Sequence, residues 1–116
     1  MSPSAVITGT GLYTPSEAIS NEELVASFNA WVDLHNAAHA DEIANGSIKA
    51  KTHSSAEFIE KASGIKSRYV INKAGILDPH RMVPDIPERP NTDSSVMCEI
   101  ACLAANQAID ACLLYT

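Results

Sequence analysis

Ser54-Ser55-Ala56-Glu57-Phe58-Ile59-Glu60-Lys61-Ala62-Ser63-Gly64, followed at once by Ile65-Lys66-Ser67-Arg68-Tyr69-Val70-Ile71, changes its backbone preference in mid-stretch. Ser54-x-x-Glu57 has the spacing of a capping box: the hydroxyl accepts from an orphan N–H three residues on, and the Glu reaches back to the N-cap N–H. Gly64 tolerates the left-handed conformation that ends a helix. The apolar side of this short helix is expected on Phe58, Ile59 and Ala62. From Ile65 to Ile71 the pattern alternates and gains aromatic and β-branched residues, which predicts a strand. A helix running directly into a strand places the chain in the α/β class.

Toward the amino terminus, Ala5-Val6-Ile7 followed by Thr8-Gly9-Thr10-Gly11 predicts a buried strand over residues 5–10 entering a tight turn. Pro15 and Ser16 continue as loop. Ser20-Asn21-Glu22-Glu23 is a second capping box and starts a helix. Leu24, Val25, Phe28, Trp31, Val32 and His35 fall on one face at the 3.6-residue period, with Glu22, Asn29, Asp33 and Asn36 opposite. The helix is expected to fade between Ala40 and Gly46, at the turn chemistry of Asn45-Gly46-Ser47.

Toward the carboxyl terminus, Pro79, Pro84, Pro87 and Pro90 exclude helix interior and central strand, leaving an extended excursion with a turn at Asp78-Pro79. Thr92-Asp93-Ser94-Ser95 is an N-cap cluster, after which Val96, Ile100, Leu103, Ala104, Ala108 and Ala111 predict a helix apolar almost all round and therefore buried. Its Cys98, Cys102 and Cys112 are expected to be reduced, buried thiols without disulfides. Asp110 is the one charge from Ala101 to Leu114, and the chain stops at Leu113-Leu114-Tyr115-Thr116 without capping chemistry. So apolar a helix needs more partners than the other segments supply, which leads us to expect an amino-terminal fragment of a larger α/β protein.

The whole chain has 116 residues, 46% of them hydrophobic, and a formal charge of -6. An acidic balance with dispersed cations disfavours nucleic acid as a partner. No stretch reaches the roughly 20 apolar residues of a membrane-spanning helix, and no secretory signal pattern opens the chain, so a cytoplasmic location is expected.

Four constellations invite chemistry. Gly9-x-Gly11 after a strand begins a dinucleotide fingerprint, but Thr14 stands where the third glycine is needed, so close backbone approach is the simpler role. His35 and His39 have an i, i+4 spacing open to zinc, yet Asn36 replaces the Glu of the metalloprotease pattern, and a solvated pair is the simpler reading. Cys98 sits near a helix start, where a thiol can be activated, but it has no basic neighbour in sequence. Phe58, Ser54, Lys61 and Ser63 gather an aromatic face, a cation and hydroxyls of the kind a nucleotide-like ligand uses.

The order of the pieces resembles a known family. Ile7-Thr8-Gly9-Thr10-Gly11-Leu12-Tyr13-Thr14-Pro15, Ser20-Asn21-Glu22-Glu23-Leu24, Ala62-Ser63-Gly64-Ile65-Lys66-Ser67-Arg68 and Asn91-Thr92-Asp93-Ser94-Ser95-Val96, with Glu99 and Ala101, are similar to the opening of the β-ketoacyl-acyl carrier protein synthase III family. The resemblance implies the amino-terminal part of a thiolase-like five-layer αβαβα fold, here the first part of one half, usually in a homodimer. It implies a decarboxylative acyltransferase that condenses an acyl-CoA primer with malonyl-acyl carrier protein, with no tightly bound cofactor. It places the catalytic Cys, His and Asn beyond this chain, so Cys98, Cys102 and Cys112 match no catalytic position. It puts Phe58 where the family has an adenine-stacking Trp, Ser54 where a Thr hydroxyl nears the adenine, and Ser63 beside the pantetheine entrance. The family's phosphate-pairing Arg falls on Ala62, leaving Lys61 to replace its charge. Residues 33–53 and 73–91 are insertions against the family pattern, and loop insertions are where specificity is altered. A non-catalytic acidic binding or dimerisation module is the competing expectation.

Overall fold

The computed structural model describes residues 3–112. They divide into two compact units, residues 15–86 and residues 3–14 with 87–112. Among the described residues no helix is long and apolar enough to cross a membrane.

The unit of residues 15–86 is mixed α/β. Strand β1 (Glu17–Ser20) pairs antiparallel with β2 (Ser67–Val70), Ile19 opposite Arg68 and Ser20 opposite Ser67. The strand expected over 65–71 is therefore present. β1, where no strand was expected, has only Ile19 as a strong apolar residue and so gives little periodic signal, yet Ile19 is 0% exposed. Helix α1 (Asn21–Ala38) begins at the expected capping box, with Ser20 Oγ accepting from Glu23 N–H at 3.1 Å and Ser20 N–H donating to Glu23 Oε1 at 3.3 Å. After a break at His39 the short helix α2 (Ala40–Ala44) completes the fading expected before Gly46. Val32 is the other fully buried side chain, while Leu24, Val25, Phe28 and Trp31 of the apolar face are half-buried.

Helix α3 (Ala56–Ser63) ends at Gly64 with φ 74°, as expected, but its cap is Ser55, one residue later than the capping box at Ser54. The Ser54 N–H is committed to Asn29 Oδ1 at 2.8 Å, and the extended Ser55 turns its hydroxyl to accept from Phe58 N–H at 3.1 Å. Its apolar side also differs: Phe58 and Ala62 are exposed and Ile59 alone is half-buried. A single turn, α4 (Ala74–Leu77), precedes the Asp78-Pro79 turn, where Asp78 C=O accepts from Arg81 and Met82 N–H.

In the other unit, α5 (Val96–Cys112) starts as expected, with Ser95 Oγ accepting from Cys98 N–H at 3.1 Å. It is not buried. None of its residues is, and Met97 is 81% exposed. Here residues 3–14 lie against one side of α5, and one neighbour covers one face only. Cys98 and Cys102 are accordingly exposed and Cys112 half-exposed, against the expectation of buried thiols. The strand expected at residues 5–10 does not form, because no sheet neighbour satisfies its backbone in this unit. Gly9 and Gly11 instead bring the segment onto the α5 backbone: a Cβ on Gly9 would lie 2.5 Å from Ala108 C=O, and one on Gly11 would collide with Ala104 C=O. Leu12 N–H donates to Gln107 Oε1 at 3.0 Å. Glycine serves close backbone approach here, as anticipated. The chain ending at residues 113–116 lies outside the described residues.

Candidate functional site

A helix face ordinarily left to solvent positions the site. Asn29, Asp33 and Asn36 recur at i, i+4 and i+7 along α1, and each meets the chain as it returns toward α3. Asn36 Nδ2 donates to Lys51 C=O at 3.0 Å while its Oδ1 accepts from Lys51 N–H at 3.0 Å. Asn29 Nδ2 donates to Ser54 C=O at 3.1 Å and its Oδ1 accepts from Ser54 N–H. Both amides thus copy a strand neighbour, since a carboxamide can donate to and accept from one residue's backbone at once. Asp33 Oδ1 lies 2.7 Å from His53 Nε2 between them. Residues 51–54 are thereby held along α1 without belonging to a sheet.

The held segment and α3 enclose a cleft of about 580 Å³ lined by Phe28, Thr52, His53, Ser54, Ser55 and Phe58. An apolar pouch of about 260 Å³ is lined by Leu24, Val25, Phe28, Ser54, Ile59 and Met82. Phe28 and Ser54 belong to both. Met82 has φ 54°, a left-handed conformation that a side chain seldom adopts, and its N–H donates to Asp78 C=O at 2.9 Å.

Of the four residues singled out from sequence, Phe58 and Ser54 come together in the cleft. Phe58 is 65% exposed, unlike an apolar anchor. Lys61 and Ser63 do not line the cleft. Ser63 Oγ donates to Ile59 C=O at 2.6 Å and accepts from Ile65 N–H at 3.2 Å, which spends its hydroxyl on the end of α3. Thr52 and His53 were not foreseen; the only signal was the polar stripe of α1, indistinguishable by pattern from a solvated face.

The histidine pair is not the solvated couple expected. His35 and His39 are half-buried and stacked with centroids 4.3 Å apart, His39 Nδ1 lies 2.8 Å from His35 C=O, and Trp31 and Phe28 continue the ring contacts along α1. Lys51 Nζ stands 5.7 Å from the Trp31 ring centroid, within cation–π range. Among the described residues no group of three or more His, Cys, Asp or Glu is placed to hold a metal. The Cys102 thiol is pushed up by its hydrogen bond with Cys98, the reverse of nucleophile activation. At the base of β1 and α1, the backbone N–H of Ser20 and the Lys73 ammonium, 3.3 Å away, hold the Glu23 carboxyl below its ordinary range.

No family model matches the chain. Over 83 residues, 72% of its length, it is 57% identical to a beta-ketodecanoyl-acyl-carrier-protein synthase of Pseudomonas aeruginosa. Over that stretch the chain is a relative of a β-ketoacyl-acyl carrier protein synthase. The resemblance carried by the four short motifs is thereby shown. The chain spans about a quarter of the length of the curated relative it matches, 24%. Among the described residues Cys98, Cys102 and Cys112 all lie on α5 with part of their surface open.

Proposed function

We propose that the chain is the amino-terminal part of a β-ketoacyl-acyl carrier protein synthase III-like enzyme, which condenses an acyl-CoA primer with malonyl-acyl carrier protein in fatty acid or related biosynthesis. Its own share of the work is to hold the nucleotide end of the acyl-CoA. The Cys nucleophile and the His and Asn that assist decarboxylation belong to other parts of the complete, homodimeric, thiolase-like protein. A tightly bound cofactor is not required, since acyl-CoA is a substrate.

The observation that carries this reading is Phe58, an aromatic ring 65% exposed and lining the cleft beside Ser54. Stacking a planar base removes that apolar face from water, while Thr52, Ser54 and Ser55 offer hydroxyls to its edge. The identity to a synthase acting on acyl chains supports the substrate class. The family's cationic position is Ala62 here, with Lys61 beside it outside the cleft, so stacking carries more of the binding than charge.

Phe58→Ala in the complete protein is expected to raise the apparent KM for acyl-CoA several-fold, by analogy with the roughly 1 to 3 kcal/mol of base–aromatic stacking. Turnover should change little, because a remote base is bound alike in ground and transition states. Phe58→Trp should be tolerated. Thermal stability should hold within about 0.5 kcal/mol, as for an exposed side chain. Unchanged acyl-CoA affinity in Phe58→Ala would remove the ring from the site.

A further inference from the structure

His53 belongs to no motif of the resemblance, yet it lines the same cleft as Phe58 and Ser54, and Asp33 fixes what its ring can do there. With Asp33 Oδ1 2.7 Å from Nε2, the neutral ring carries its hydrogen on Nε2, since a carboxylate only accepts. Nδ1 is left as a lone-pair acceptor with no partner among the described residues. Asn29 and Asn36 hold the backbone on either side of His53, and the Asp33 carboxylate holds its ring. A stacking ring beside an acceptor of fixed tautomer suits a base whose edge carries an exocyclic amino group.

We propose that His53, oriented by Asp33, reads the amino group of the adenine base and so discriminates adenine from a base with a carbonyl at that position. The inference rests on the proposed acyl-CoA reading and names a specificity residue within it. A hypoxanthine base turns an oxygen toward Nδ1, setting lone pair against lone pair, and a site built around one hydrogen bond rejects the analogue that cannot make it. One net hydrogen bond corresponds to roughly three- to tenfold in affinity.

The test titrates the full chain, by calorimetry, with CoA and with the CoA analogue whose adenine is replaced by hypoxanthine. The unaltered chain should prefer CoA by roughly three- to tenfold. His53→Ala should erase that preference, and Asp33→Ala should reduce it by freeing the ring to exchange tautomers. Melting measured on the same samples identifies any variant that has lost its fold. A purely structural His53 would change affinity for both ligands equally and leave their ratio intact, which overturns the inference. Equal binding of both ligands by the unaltered chain, with Phe58→Ala weakening both, overturns the role of His53 while leaving the acyl-CoA reading standing. No binding of CoA by the folded chain removes both.

Discussion

Residues 15–86 and the unit made by residues 3–14 and 87–112 reach order by different means. The first has two fully buried apolar side chains, Ile19 and Val32, and several amide side chains bonded to backbone. Asn21 donates to Ile65 C=O at 2.6 Å and accepts from Arg68, and Asn72 exchanges two bonds with Asp85, at 2.7 and 2.8 Å. The second has no buried side chain among its described residues and relies on glycine-to-helix approach, together with Arg89 bonded to Glu99 and to Ser94 C=O. A small apolar interior leaves backbone groups unpaired, and a carboxamide such as that of asparagine can satisfy both N–H and C=O of one residue. Where such stitching is dense, a loop becomes rigid enough to wall a cleft.

The contrast is broken most directly at Ile19. Ile19→Ala should cost about 2 to 5 kcal/mol, the range for truncating a buried aliphatic side chain, whereas Met97→Ala on α5 should stay within about 0.5 kcal/mol. Equal losses in denaturant unfolding would show that the two units do not differ as described. Gly11→Ala comes next. Its Cβ would collide with Ala104 C=O, so residues 3–14 must lift from α5 at about 1 to 3 kcal/mol, read as faster amide exchange at Leu12. Exchange unchanged at that position would mean the approach is not tight.

Asn29→Ala should cost about 1 to 2 kcal/mol, since it strands a Ser54 N–H and C=O together. Asn36→Ala, whose bonds are exposed, should cost less. The ordering sharpens the argument: if Asn29→Ala leaves acyl-CoA binding intact, the cleft does not depend on the stitched segment. The smallest effect concerns acid. Glu23 has a carboxyl pKa lowered in the folded state, so its contribution is present above the ordinary carboxylate range and is lost as pH falls through the folded value. Glu23→Gln should therefore flatten the decline of stability in mildly acidic solution, a decline measured by melting against pH. An unaltered slope would show that the Ser20 and Lys73 contacts do not distinguish folded from unfolded chain.

Legibility followed the range of the interaction. The Ser20 capping box, the Gly64 helix end, the strand at residues 67–70, the Asp78-Pro79 turn and the start of α5 were all readable, because each is decided by backbone chemistry within a few residues. The cap at Ser55 was misplaced by one residue because Asn29, 25 positions away from Ser54, had already taken the Ser54 N–H. Burial of α5 was misjudged because an apolar helix states what it would prefer to meet, and among the described residues of this unit residues 3–14 and Arg89 leave most of its surface open. Phe58 and Ser54, which both line the cleft, were singled out through motif order. His53 was not, because its relevance depends on Asp33.

The sequence by itself determined where α1 and α5 begin and where α3 ends, the acidic character of the chain and its kinship to a β-ketoacyl-acyl carrier protein synthase, since propensity, capping and motif order are local or additive properties. Tertiary structure alone decided that β1 pairs with β2, that the polar stripe of α1 grips residues 51–54, and that Phe58 stays open while Ser63 is consumed by its own helix end. Those outcomes turn on competition for individual N–H and C=O groups between residues far apart in the chain, and a donor's choice among acceptors is settled only when the backbone has brought them within about 3 Å of one another.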